Sequence, residues 1–403
     1  MRALNLIVLV FLSILLSYFL PIFANLLLEE KIVIERVRYS PVVEEFLYSK
    51  NDRETKQNTF EIIGKGEISE DKFIEYQPFA HYSLLLSKGT FPSKFEQYGQ
   101  NPKLIRQNSQ NLNLKYGSNK AKYIPLYILL QTDERYNKII YPPRLLRLAE
   151  HGIEIVNLEK NIVDDNSSKI LNNDLVKNGF SFPAKMYFSN PSSLKPFDEG
   201  AFIIDANDTI FHIKQEKDFI SVKNTKLVKP SVINIVVSED PRKEFYALLV
   251  SKTELGLIDY NYNFIKLDNS GYDPFSANLG LRITPVNKIL SFGSNETIKT
   301  DVMDLNYTTL KQNLTELTPP ESKRYIKEYV LPFELKLSQV SHYYAFSVDK
   351  ISIKGILFSA CLAFAYFLYE LFVNRRKRFL RSSVVAVFGV YGLLSVFLYK
   401  DSD

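Results

Sequence analysis

Two patterns divide this chain. Uncharged apolar runs of membrane length lie near its ends, and period-two alternation fills much of what lies between. The first run extends from about Leu4 to Leu28, a length that covers a hydrocarbon core of roughly 30 Å with some tilt. A cleaved signal peptide is the alternative. Its best site would follow Ala24, but Ile22 stands where a small residue belongs, and the run continues to Leu28, so an uncleaved anchor is expected. Two further runs, about Gly355 to Val373 and Ser382 to Tyr399, predict a second and a third span.

Between the spans, Lys31 to Tyr48 reads as strand with a turn at Pro41, and 49–58 reads as loop before a short strand at 60–63. Ser69-Glu70-Asp71 has the chemistry of a helix start. Phe73, Tyr76, Phe79, Tyr82, Leu85 and Leu86 follow at helical spacing, interrupted by Pro78 and ended by Gly89. The Asn- and Gln-rich stretch 97–123 predicts loop. Pro142-Pro143 predicts a short helix through Leu148 that stops at Gly152, followed by a strand at 153–156 and a helix at 167–178.

From Gly200 the period is two. Strands are expected at 201–205, 209–213, 219–222, 232–237, 245–250, 255–259, 264–267, 279–283, 288–292, 297–300 and 308–310, with turn residues such as Asp205-Ala206-Asn207-Asp208 between them. The sets recur about every 40–50 residues, the period of four-stranded propeller blades. Two full units and a partial one are visible, too few for a complete propeller, which predicts an open or sandwich-like meander. Pro319-Pro320 closes the region, and 322–329 reads as helical or irregular.

Charge fixes an expected orientation. Asn374 to Arg381 carries Arg375, Arg376, Lys377, Arg378 and Arg381, a basic loop that the positive-inside rule places in the cytoplasm and that suits anionic lipid headgroups. Arg2 precedes the first run and Glu29-Glu30 follow it, so the N-terminus is expected inside, and 29–353 and the C-terminus outside. The net charge of +5 resides in the two terminal segments, and 29–353 is neutral overall. That leaves no field to attract nucleic acid. Glu370 near the inner end of the second run is expected to reach the interface or pair with Arg375, and Cys361 to be a small packing residue.

An apolar fraction of 46% excludes a disordered chain. One cysteine excludes an internal disulfide, zinc ribbons and CxxC redox sites. His81, His151, His212 and His342 lack metal-binding spacing, and His212, between Phe211 and Ile213, reads as a sheet residue. No nucleophile elbow, phosphate loop, dinucleotide fingerprint or kinase set is present, so no catalytic, cofactor or metal residues are expected. Asp268 to Asp273 resembles a calcium loop loosely but lacks the third spaced acid and the distal Glu, and reads as a turn. Acceptor motifs for N-glycosylation occur at Asn166, Asn207, Asn295, Asn306 and Asn313. Aromatic side chains, 13% of the chain, are expected chiefly in the core.

Several stretches carry a family resemblance: Tyr39-Ser40-Pro41-Val42-Val43-Glu44, Glu75 to Tyr82 with Gly89-Thr90-Phe91-Pro92, Ile124-Pro125-Leu126-Tyr127, Lys195-Pro196-Phe197-Asp198-Glu199-Gly200, and Pro241 to Tyr246. Over roughly 35–310 the chain resembles an uncharacterised family of bacterial membrane-anchored proteins, domain of unknown function 4857. The resemblance implies membrane proteins often encoded beside ABC transporter components, and brings no catalytic residues.

The expected architecture is α+β: a membrane-anchored extracytoplasmic domain with a small helical part and a propeller-like antiparallel β meander, plus three transmembrane helices. Its segments are an anchor at 1–28, an α+β region at 29–190, the meander at 191–318, a membrane-proximal stretch at 319–353 and a helical hairpin at 354–403. The leading expectation for function is a non-enzymatic accessory or subunit of an ABC-type transport complex in a bacterial cytoplasmic membrane, with the bilayer and a permease or ATPase as partners. Spans without intramembrane charge form no polar pathway alone. An extracytoplasmic ligand-sensing module and a hydrolase with an unrecognised site are the alternatives.

Overall fold

The computed structural model describes residues 2–28, 33–52, 55–120, 126–133, 138–216, 219–318, 324–340, 343–373 and 379–399. The chain forms two units. One comprises 1–35, 50–58 and 318–403, and the other 36–49 and 59–317.

The larger unit is built on antiparallel sheets. The first contains Val33–Ser40, Glu45–Asp52, Gln57–Ile62 and Gly66–Glu67, part of it in each unit. The second orders Ile162–Val163, Gly152–Asn157, Arg144–Ala149 and Leu126–Tyr127 side by side. The third is a meander of Met186–Ser189, Ala201–Ile204, Thr209–Glu216 and Phe219–Val228, and the fourth of Val232–Val237, Phe245–Ser251, Leu255–Asp259 and Phe264–Leu267. The fifth contains Asn278–Ile283, Lys288–Gly293, Thr297–Met303 and Thr309–Glu316, with Gln110–Leu114 added beside its first strand. Four-stranded units are thus more numerous than sequence periodicity alone finds.

The burial patterns explain how these sheets stack. Ala201–Ile204 is buried at every position. Ala201 and Ile203 enter a cluster with Ile153, Ile155 and Leu175, while Phe202 and Ile204 enter another with Ile235 and Leu249. The fourth sheet divides in the same way: Ala247 and Leu249 pack toward the third, and Leu248 and Val250 toward Leu279, Leu281 and Leu290 of the fifth. Strands covered on both faces read as continuous apolar runs. The fifth sheet instead alternates, with Leu279, Leu281 and Ile283 buried and Gly280 and Arg282 on the other face.

Helix Asp165–Lys177 is held at its start by Asp164, whose carboxylate accepts from Ser167 N at 3.1 Å and Ser167 Oγ at 2.7 Å. It presents Leu171 and Leu175 to the second and third sheets. Helices Glu70–Glu75 and Tyr82–Lys88 flank the expected break around Pro78, and Gly89 caps the second at φ 67°. Phe79, Phe95 and Ile105 form a separate small cluster.

Several expectations are corrected. The 49–58 stretch is not loop, because strands Glu45–Asp52 and Gln57–Ile62 enter it from both sides. The 97–123 stretch contains helices Glu96–Gln100 and Lys103–Gln107 and strand Gln110–Leu114, whose alternating Leu112 and Leu114 are buried against the fifth sheet. Arg144–Ala149 is a strand, not a helix. Leu146 and Leu148 are good helix formers, but pairing with Ile155 and Ile153 across the turn overrides that preference.

In the smaller unit, two helices are long and apolar enough to cross a membrane: one covering 4–28, and Ile353–Phe372, capped by the Ser352 hydroxyl. The third expected span is two short helices, Phe379–Phe388 and Val390–Leu398. They meet at Gly389, which has φ 59°, and a Cβ there would lie 2.2 Å from Ser359 Oγ. The positive φ of Gly389 interrupts the helix, and the missing side chain leaves room for Ser359. Leu9, Ala363, Tyr366, Val385 and Val396 form the unit's apolar cluster. Ser13 Oγ donates to Ser395 Oγ at 2.9 Å, and Tyr399 OH donates to Asn5 Oδ1 at 3.0 Å. Strands Phe333–Val340 and Tyr343–Ile351 pair as a hairpin.

Candidate ligand-binding site

Three groups of polar residues lie inside the larger unit, and their hydrogen-bond states separate scaffold from site. The first surrounds Lys195, whose side chain is 3% exposed. Its ammonium donates to Asn190 O at 2.7 Å, Asp198 Oδ1 at 2.6 Å and Glu239 Oε1 at 2.6 Å. An ammonium has three protons, and all three are used. Asn190 Nδ2 and the Glu199 N–H donate to the Glu239 carboxylate. Burial pushes Glu239 above the ordinary carboxylate value, against the opposing charge of Lys195. Beside it, Glu199 accepts from Tyr260 OH at 3.1 Å and Lys214 Nζ at 3.1 Å. His212 donates from Nε2 to the Glu199 carbonyl and accepts at Nδ1 from Tyr262 OH at 2.8 Å. Burial lowers its basicity, and the ring is the satisfied sheet residue its strand position predicts.

The second group centres on Glu244, which accepts from Arg242, Lys288 and, at 2.7 Å, Tyr307 OH. The Lys288 ammonium lies 3.4 Å from the centre of the Tyr307 ring. Burial alone would raise Glu244, but the contacts of Lys288 and Tyr307 hold it below the ordinary value. In both groups the cations are paired with carboxylates, and the contacts tie loops to sheets.

The third group is open. A cavity of about 210 Å³ lies against the alternating face of the fifth sheet. Strand Val33–Ser40 supplies Arg38 and Tyr39, the stretch after helix Glu70–Glu75 supplies Gln77 and Phe79, and the fifth sheet supplies Asn111, Asn113, Arg282 and Ser291. The period of two puts these side chains here. Leu112, Leu281 and Leu290 face the core, so their neighbours face the cavity.

Gln77 is fixed by its Nε2, which donates to Phe73 O at 2.9 Å, and its Oε1 therefore accepts from Arg38 Nη1 at 2.6 Å. A Cβ at Gly280 would lie 2.9 Å from Ser291 Oγ and 3.4 Å from Asn113 Oδ1, so glycine leaves these two polar side chains their space. Burial pushes both arginines below the ordinary guanidinium value, and Arg282 and Arg36 add to the effect on Arg38. His81 is lowered by burial and then by the charges of Arg38 and Arg282.

Among the described residues no cluster of His, Cys, Asp and Glu could hold a metal. Asp268 is engaged by Lys299 at 2.7 Å and by Ser270, and Asp273 by Phe275 N and Ser276 Oγ, which leaves a turn rather than a calcium loop. His151 is exposed in a turn, and His342 lies outside the described residues. Of the basic loop, Arg375, Arg376, Lys377 and Arg378 lie outside them too, as does the expected Glu370 pairing with Arg375. Arg381 lies in the first turn of the following helix and hydrogen-bonds Tyr366. Glu370 is buried and accepts from Tyr366 OH at 2.6 Å. Cys361 is exposed on its helix, not packed as expected, because it falls on the face opposite Ala363 and Tyr366.

None of the cavity residues carries a catalytic motif, and sequence reasoning singled out only its Tyr39, Pro41, Gln77, Phe79 and Ala80, as parts of family stretches. The signal for the rest was present in Gln110-Asn-Leu-Asn-Leu114 and Asn278-Leu-Gly-Leu-Arg-Ile283, where strict alternation places polar residues on the face opposite the core.

A family model described as "Domain of unknown function (DUF4857)" matches residues 36–303, more than half of the chain, and the chain belongs to that family. None of the curated proteins compared with the chain matches it.

Proposed function

We propose that this chain is a membrane-held binding module for a small molecule, with the larger unit as the recognition domain outside the cytoplasm. The observation that supports this reading is the cavity. It gathers segments distant in sequence, among them two of the family stretches, while the buried cations Lys195 and Lys288 are paired with carboxylates. Its volume lies below the roughly 300–1,000 Å³ of sites for drug-sized ligands, which suits a small metabolite. Melting of the detergent-solubilised full chain against a broad metabolite library tests the reading. A stabilising compound is expected, with a shift that grows with concentration. No shift from any compound in the library would count against it.

The module's place is as an accessory of an ABC-type transport complex. Apolar side chains such as Phe11, Leu357 and Phe364 are exposed on the two long helices, available to lipid or to the helices of a permease. A C-terminally tagged chain extracted in mild detergent is expected to bring down a permease and an ATPase. Recovery of the chain alone as a stable monomer removes the transport reading and leaves the binding module.

A further inference from the structure

The cavity's lining has a one-sided charge. It holds two guanidiniums and no carboxylate. Arg38 makes one hydrogen bond, to Gln77 Oε1. Arg282 has neither a hydrogen-bond partner nor a counter-ion among the described residues, and its like charge adds to the depression of Arg38. Around them stand neutral hydrogen-bonding groups, including the amides of Asn111 and Asn113, which have no partners among the described residues either. Elsewhere in this unit the buried cations Lys195 and Lys288 are paired with carboxylates.

A desolvated cation without a counter-ion costs stability, and two like charges sharing one cavity cost more. Burial depresses both arginines, which is the sign of that cost. A guanidinium presents planar donors that match the oxygens of a carboxylate or phosphate, and charge-assisted bonds of this kind are roughly twice as strong as neutral ones.

We propose that the cavity binds a small oxyanion, the carboxylate or phosphate group of a compact organic acid, gripped between Arg38 and Arg282, with the Asn111 and Asn113 amides bonding the rest of the molecule. This inference rests on the binding-module reading and names its ligand class. Phe79, Ile289 and Val37 give the cavity an apolar side, which takes the carbon skeleton. Gln77, locked by Phe73, sets the plane of the Arg38 guanidinium.

The test uses the full chain in detergent, melted in inorganic phosphate, succinate and benzoate, with chloride at matched ionic strength and neutral glycerol as controls. At about ten times the half-saturating concentration the matching anion is expected to raise the melting temperature by about 2–4 °C. Stabilisation by phosphate alone assigns a phosphoryl ligand, and by succinate or benzoate a carboxylate.

Arg282→Gln is expected to weaken anion binding about 10–100-fold, while the unliganded variant melts at or above the temperature of the wild type, because an unpaired, partly desolvated charge is gone. Arg282→Lys retains part of the affinity. A variant that melts lower without ligand and binds anions unchanged marks Arg282 as structural and overturns the proposal. Stabilisation by neutral metabolites with none by any anion overturns the anion inference and leaves the binding module standing. Stabilisation by no compound of either kind removes both.

Discussion

Replacing Lys195 by alanine is expected to destabilise the larger unit by about 3–5 kcal/mol, the usual cost of removing one partner from a buried ion pair. The reason is the closed geometry around the ammonium. Asp198 and Glu239 are 4% and 1% exposed at their side chains, and each has an oxygen 2.6 Å from Lys195 Nζ. Without the cation, two like charges remain together out of water. The penalty depends on pH in a defined direction. Burial already raises Glu239 in the folded protein, and losing Lys195 raises it further. A group with a raised folded-state pKa favours the folded state below its unfolded value, and that contribution disappears as pH rises through the folded value. The gap between variant and wild type therefore narrows from pH 7 toward pH 5. Urea unfolding of the full chain, followed by circular dichroism of the sheet, measures both. A loss under about 1 kcal/mol at pH 7, or a gap that widens in acid, contradicts this account.

Gly200→Ala is expected to be at least as damaging for a different reason. Gly200 has φ 76°, which costs a side-chain-bearing residue roughly 1–2 kcal/mol by itself. In addition, a Cβ there would lie 2.2 Å from Ile213 O and 2.9 Å from Lys214 Cα. Both are backbone atoms of the neighbouring strand, so relief requires separating Ala201 from Ile213, its register partner. A total loss of more than roughly 3 kcal/mol follows. Gly64 provides the control. It has φ 77° with nothing within 4 Å of a Cβ, so Gly64→Ala carries the dihedral cost alone. Comparable melting temperatures for the two variants would show that the clash at Gly200 relaxes freely.

These two residues begin and end the stretch Lys195 to Gly200, one of those that carry the family resemblance. The sequence revealed the stretch but not its task. The lysine's three acceptors come from positions 190, 198 and 239, and no local pattern announces their convergence. The meander strands were legible because Ala201–Ile204 and Phe245–Ser251 are short apolar runs bounded by turn residues. Arg144–Ala149 was not, because a leucine-rich segment after two prolines fits a helix equally well until Ile153 and Ile155 are available to pair with it. The third span failed at Gly389, where the apolar run continues unbroken while the backbone turns to a positive φ. The cavity was half legible. Alternation in 110–114 and 278–283 marks a polar face, but only the tertiary arrangement places Arg38 opposite it.

The route of the chain through the cavity determines when the site can exist. Arg38 and Gln77 come from the start of the larger unit, and Arg282 and Ser291 from near its end. Strand Gln110–Leu114 waits for Asn278–Ile283, which is made long after it. Contacts of such sequence separation form slowly and late, after local hairpins have closed. In a chain that folds as it emerges from its N-terminus, the third and fourth sheets can assemble as their strands arrive, but the cavity is not complete until the fifth sheet is finished. A chain truncated before Ser291 therefore lacks part of the cavity lining.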